Sequence, residues 1–145
     1  VAICGDILHS RVIGSSAILL DRMGAHIKFI APDYLQPHHD FVPKAERFKH
    51  LDKGIKGSDI IIMLRIQKER FDGLSLDYDE YVENYQLDKN LLKLAKPNAL
   101  IMHPGPVNRN LEITDDILNS KHSIILQQVE MGVAMRKAIL EYILN

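Results

Sequence analysis

A single cysteine, Cys4, stands in the 145 residues, so no internal disulfide can staple the fold. It falls in the apolar run Val1-Ala2-Ile3-Cys4 and reads as a small buried hydrophobe. Net charge is scarce as well, a formal −1 at pH 7. No global field therefore draws in nucleic acid or anionic lipid, and any anion site must be built locally from a few Arg or Lys side chains. Apolar runs are short; none approaches the roughly 18 residues of a membrane helix. No signal-peptide pattern opens the chain, and there is no internal repeat, linker or low-complexity segment. A soluble, cytoplasmic protein is the default expectation. The chain also begins directly on strand-like residues, without Met or a lead-in segment. It reads as a piece cut from a longer protein.

What is present is ordinary for a globular domain: 46% hydrophobic and 26% charged residues. That length and composition suit one domain over residues 1–145 with a core of its own. Apolar runs alternate with segments of helical spacing. The pattern predicts strands at Val1–Cys4, His26–Ile30, Arg47–His50, Asp59–Leu64 and Ala99–His103. Helices are expected from Ser10 to Met23, stopped by Gly24; from Tyr78 to Tyr85; after Asp88 through Lys96; and from about Gln127 to Leu144. The five consecutive apolar residues Ile60 to Leu64 predict a strand buried on both faces. In the last helix, Val129, Val133, Leu140 and Leu144 fall on one side while Met135 and Ile139 point elsewhere, an apolar surface too broad for one sheet, so much of this helix is expected to be exposed in this chain by itself.

Alternation of this kind means a doubly wound α/β fold: a five-stranded, mainly parallel, Rossmann-like sheet with helices on both faces. Ligands then bind beyond the carboxyl ends of the strands, where strand order reverses. For the order 3-2-1-4-5 that point lies between strands 1 and 4. Three tips would converge there: Gly5-Asp6 leading to Arg11, Leu64-Arg65 leading to Gln67, and His103-Pro104-Gly105-Pro106.

The first tip lacks the dinucleotide fingerprint. Ile7 and Ser10 occupy its second and third glycine positions, which argues against a nicotinamide or flavin domain. Instead it delivers His9, Ser10 and Arg11 at a helix start, a setting that favours an anion. On position alone, Arg11 is equally a surface charge. The second tip places Arg65 at the end of a buried strand, where a planar guanidinium matches a carboxylate bidentately. Glu69, four residues on, could hold Arg65, and that ion pair is the alternative role for Arg65. The third tip is rigid; its prolines remove donors and leave mainly carbonyl acceptors, suited to an amine or a carbamoyl NH2. His103 reads as a satisfied strand-end histidine more readily than as an acid or base. His38-His39 lacks the further ligands a metal site requires.

GDILHSRV, LRIQKER, HPGPVNR with Glu112-Ile113, and the tail GVAMRKAIL together resemble aspartate carbamoyltransferase in order and spacing across essentially the whole chain. The resemblance implies that Arg11, Arg65 and Gln67 bind L-aspartate. It implies that Pro104, Gly105 and Pro106 line the carbamoyl phosphate site, with Glu69 and His103 in support, and that neither a cofactor nor a metal takes part. It further implies an N-terminal carbamoyl-phosphate domain carrying the S-T-R-T and H-P-x-Q segments, neither of which occurs here, and a homotrimer of full-length chains. This piece alone would then be inactive. The Gly105–Pro106 bond is expected to be cis. Asn110 departs from the family, whose members usually carry glycine there, which puts the shape of that turn in question.

Three other readings compete. An ornithine-type carbamoyltransferase would carry H-C-L-P after the last strand, where this chain has Pro104 second, and would have no use for two arginines on a cationic side chain. A nucleotide-binding Rossmann module is opposed by the missing fingerprint. A non-catalytic domain that keeps only the fold is opposed by the joint presence of Arg11, Arg65 and Gln67.

Overall fold

The computed structural model describes residues 1–67 and 77–145. Five short strands, β1 (Ala2–Cys4), β2 (Lys28–Ile30), β3 (Glu46–Phe48), β4 (Ile60–Met63) and β5 (Leu100–Met102), form one sheet in the order β3-β2-β1-β4-β5. Every pairing is parallel. This is the expected fold class and strand order, and it puts the reversal between β1 and β4.

The helices are α1 (Arg11–Arg22), α2 (Leu51–Gly54), α3 (Tyr78–Tyr85), α4 (Lys89–Leu92), α5 (Asp115–Leu118) and α6 (Ile125–Leu144), with a 3-10 turn at Asp33–Leu35. α1 closes as its sequence predicts. Gly24 takes φ +84°, and the Gly24 and Ala25 amides return to the Asp21 and Leu20 carbonyls, capping the last turn. Asp77 starts α3 by accepting from the Asp79 and Glu80 amides, and Asp88 starts α4 by accepting from Leu91. α4 stops at Leu92, well short of Lys96, because two tight turns, Leu94 N–H to Leu91 O and Ala95 N–H to Leu92 O, replace the helix. α5 was not visible in the sequence.

Each sheet face buries its own cluster. Ala2, Cys4, Ile30, Ile61, Met63 and Ile101 pack with α2, α5 and the start of α6. Ile3, Phe29 and Leu64 pack with Ile13 and Ala17 of α1 and Tyr81 of α3.

One expectation about the core is corrected and another holds. β4 is not buried on both faces: Ile61 and Met63 are buried, but Ile60 and Ile62 are only half-buried. α1 covers β1 and β2 and leaves a groove of about 270 Å³ beside it, lined by Val1, Val12, Ile62, Leu64, Met102 and Pro104. The other holds: most of α6 stands clear of the sheet. Val129, Val133, Leu140 and Leu144 are 58%, 51%, 58% and 80% exposed. Only Ile125, at its first turn, is buried.

Candidate functional site

The tip of β1 turns at Gly5, with φ +108°. A side chain there would be strained and would stand 3.0 Å from the Tyr81 hydroxyl and 3.2 Å from the Leu64 carbonyl. Asp6 follows, fully buried. Its Oδ1 accepts from the His9 amide at 3.1 Å and meets His9 Nδ1 at 2.8 Å. The loop so held leads to Arg11, exposed at the first position of α1.

At the next tip, the Leu64 amide donates to the Cys4 carbonyl at 2.8 Å and extends the β1–β4 ladder. Arg65 and Gln67 are half-buried, and Ile66 between them is fully buried. Gln67 Nε2 donates to the His9 carbonyl at 2.9 Å, and the Gln67 amide reaches Asp6 Oδ2 at 3.4 Å. The tips carrying Arg11 and Arg65 are thereby stitched together. Glu69, expected beside Arg65, lies outside the described residues, as do Lys68 and Arg70.

β5 leads into buried His103 and the loop Pro104-Gly105-Pro106, whose Gly105–Pro106 bond is cis, as expected. The loop's one backbone donor, the Gly105 amide, turns inward to His103 Nδ1 at 2.9 Å. The Pro104, Gly105 and Pro106 carbonyls accept no hydrogen bond from the described residues. His103 has its Nδ1 engaged, its carbonyl takes Gln128 Nε2 at 3.1 Å, and it is sealed from solvent. Its Nε2 is buried with no hydrogen-bond partner among the described residues, so the histidine is not fully satisfied as the sequence suggested. Asn110 takes φ +57°, a left-handed conformation that Asn tolerates. Its side-chain oxygen accepts from the Asp115 amide at 3.1 Å, so the turn is kept without glycine.

Three residues of this frame escaped sequence reading: Asp6, Asn108 and Glu112. Glu112 is fully buried and accepts from the Ile66 amide, the Asn108 amide and the Asn108 side chain. A signal existed, since a carboxylate between apolar Leu111 and Ile113 is rarely buried unless partnered. Burial, and then the charge of Glu112, push the Tyr81 hydroxyl well above its usual range. Burial likewise pushes the Cys4 thiol up.

The parallel five-stranded sheet with helices on both faces defines a doubly wound α/β fold, with Arg65, Gln67 and the proline–glycine loop at the carboxyl ends of its strands. The chain belongs to the aspartate/ornithine carbamoyltransferase family: the model for "Aspartate/ornithine carbamoyltransferase, Asp/Orn binding domain" matches residues 1–143. The aspartate carbamoyltransferase catalytic subunits of Brucella anthropi and Brucella ovis are each 47% identical to it over 146 aligned positions, covering 100% of this chain and 45% of theirs. The chain thus spans about half the length of these relatives. Among solved structures, aspartate transcarbamoylase from Trypanosoma cruzi in complex with carbamoyl aspartate and phosphate superposes with TM-score 0.83 at 27% identity, over 96% of this chain and 47% of that one. Ornithine carbamoyltransferase from Pyrococcus furiosus superposes with TM-score 0.84 at 24% identity, over 96% and 47%, a likeness that speaks for the fold alone.

Proposed function

We propose that this is the aspartate-binding half of an aspartate carbamoyltransferase. The whole enzyme transfers the carbamoyl group of carbamoyl phosphate to the amine of L-aspartate, giving N-carbamoyl-L-aspartate and phosphate in pyrimidine biosynthesis. A bond forms between the amine nitrogen and the carbamoyl carbon, the carbon–oxygen bond to phosphate breaks, and the amine gives up a proton. Arg11 and Arg65 take the two carboxylates of aspartate and Gln67 assists them. The backbone carbonyls of Pro104, Gly105 and Pro106 receive the carbamoyl N–H groups. An N-terminal carbamoyl-phosphate domain completes each site, full-length chains assemble as a cytoplasmic homotrimer, and residues 1–145 alone are inactive.

The observation that supports this reading is the meeting of three tips at the sheet's reversal point: the β1 tip leading to Arg11, the β4 tip carrying Arg65 and Gln67, and the chain that follows the Pro104–Pro106 loop. Two arginines suit a ligand with two carboxylates, and carbonyl acceptors suit the N–H groups of a carbamoyl donor. The naming of the 47% identical relatives as aspartate enzymes supports the same choice over ornithine.

The test is Arg65→Ala in a chain of the relatives' full length. Losing one desolvated charge contact costs about 2–5 kcal/mol, or roughly 30-fold to several-thousand-fold. The KM for aspartate should rise within that span while carbamoyl phosphate affinity changes much less. Near-normal aspartate saturation would overturn the assignment.

A further inference from the structure

We infer that Asn108 and Glu112 form a positioning clamp that aims Arg65 and Gln67 at the substrate. The inference rests on the function proposed above and adds two residues to it, neither of which need touch the ligand.

The clamp grips one residue, Ile66, by both backbone groups. Glu112 Oε1 accepts the Ile66 amide at 2.9 Å, and Asn108 Nδ2 donates to the Ile66 carbonyl at 3.2 Å. The amide belongs to the peptide joining Arg65 to Ile66, and the carbonyl to the peptide joining Ile66 to Gln67. Holding both planes fixes the backbone on either side and hence the directions in which the Arg65 and Gln67 side chains leave it. The Ile66 side chain is fully buried, so this stretch is anchored from within as well.

The two clamp residues also hold each other. Asn108 Nδ2 donates to Glu112 Oε1 at 2.6 Å, and the Asn108 amide donates to Glu112 Oε2 at 2.9 Å. A carboxylate sealed from water is tolerated only when its oxygens are filled, and here three N–H donors fill them. The remaining neighbour is His103. Because its Nδ1 accepts from Gly105, a neutral ring carries its proton on Nε2, which faces Glu112 Oε2 at 3.6 Å, beyond hydrogen-bond reach. Asn108 itself follows the Pro104–Pro106 loop by two residues. One pair therefore links the tip bearing the arginine to the loop bearing the carbonyls, across 46 residues of sequence.

The chemistry of each partner is specific. Glu112→Gln keeps the volume but turns one oxygen into a donor, which then confronts a donor on Asn108 or Ile66. Asn108→Ala removes both side-chain bonds while leaving a half-buried position easily accommodated. Neither change touches the charges proposed to meet substrate.

The experiment uses enzymes of the relatives' full length and measures the KM for aspartate, kcat and carbamoyl phosphate affinity for Arg65→Ala, Asn108→Ala, Glu112→Gln and the Arg65→Ala/Asn108→Ala pair. Misplacing a binding group by about an ångström costs up to roughly a hundredfold. Asn108→Ala and Glu112→Gln should each raise the KM for aspartate by about tenfold to a hundredfold, with kcat and carbamoyl phosphate affinity nearly unchanged. In the Arg65→Ala background, Asn108→Ala should add far less, because the group it aims is gone; a residue of merely structural importance would add its full effect. If Arg65→Ala alone leaves aspartate saturation unchanged, the proposed function fails and the clamp with it. If Arg65→Ala acts while the folded clamp variants behave as wild type, or act additively, only the clamp is overturned. If neither clamp variant folds, the pair is a folding determinant and the positioning role is refuted.

Discussion

At the scale of single residues, the frame behind the tips is built of buried groups that hold the chain. Tyr81 is one of them. Its hydroxyl is buried with no hydrogen-bond partner among the described residues, and burial raises its pKa, as it does that of Cys4. The ordinary values are 10.0 and 9.0, at which the unfolded chain releases both protons while the folded chain keeps them. The contribution of these two groups is therefore whole below about pH 9 and declines as pH rises above it. Tyr81→Phe should cost less than about 1 kcal/mol at neutral pH, because it removes no made bond. It should also soften the alkaline decline. Tyrosine absorbance followed alongside circular dichroism checks this: a Tyr81 that ionises near pH 10 without unfolding contradicts it.

At the scale of elements, α2 sits hard against β2 and β3. A Cβ on Gly54 would stand 2.4 Å from both Cγ1 and Cδ1 of buried Ile30 and 3.2 Å from Cβ of Phe48. Gly54→Ala should thus destabilise by overpacking, by about 1–3 kcal/mol, despite the better helix propensity of Ala. A lower urea midpoint at unchanged slope is the expected result; an unchanged midpoint would mean that α2 shifts freely. The first turn of α6 is fastened in the same manner, by Ile125 in the core and by the bond from Gln128 to the His103 carbonyl. Beyond that turn the helix runs exposed.

For the whole molecule, that exposure sets the behaviour. Leu126, Val129, Met131, Met135, Ile139 and Tyr142 are all among the exposed large hydrophobics, so apolar side chains surround α6 rather than forming one stripe. Such a surface marks a contact face. In a 145-residue chain by itself, amides of α6 past its second turn should exchange far faster than those of β1 and β4, or the chain should associate with rising concentration. Hydrogen exchange with sedimentation at two concentrations tests this. A strict monomer with a fully protected α6 would contradict it.

The sequence by itself determined the class of fold and the strand ends on which a ligand site would be built; the order 3-2-1-4-5, the common one for such sheets, is fixed by the structure. Apolar runs and helix signals are local, and right-handed crossovers leave few arrangements of five parallel strands. That Arg11, Arg65, Gln67 and Pro104–Pro106 follow strand ends was legible in the alternation of elements; the binding roles proposed for them rest on the family resemblance. Only the tertiary structure decided what holds those tips. The acceptors on Asp6 and Glu112 and the donors on Gln67 and Ile66 come from segments far apart in the chain, and a backbone amide carries no mark in sequence. The half-open face of β4 was likewise beyond pattern, whereas the exposure of α6 was legible in the breadth of its apolar surface. Periodicity reports that a face is apolar; what covers it depends on neighbours that only the folded chain brings into place.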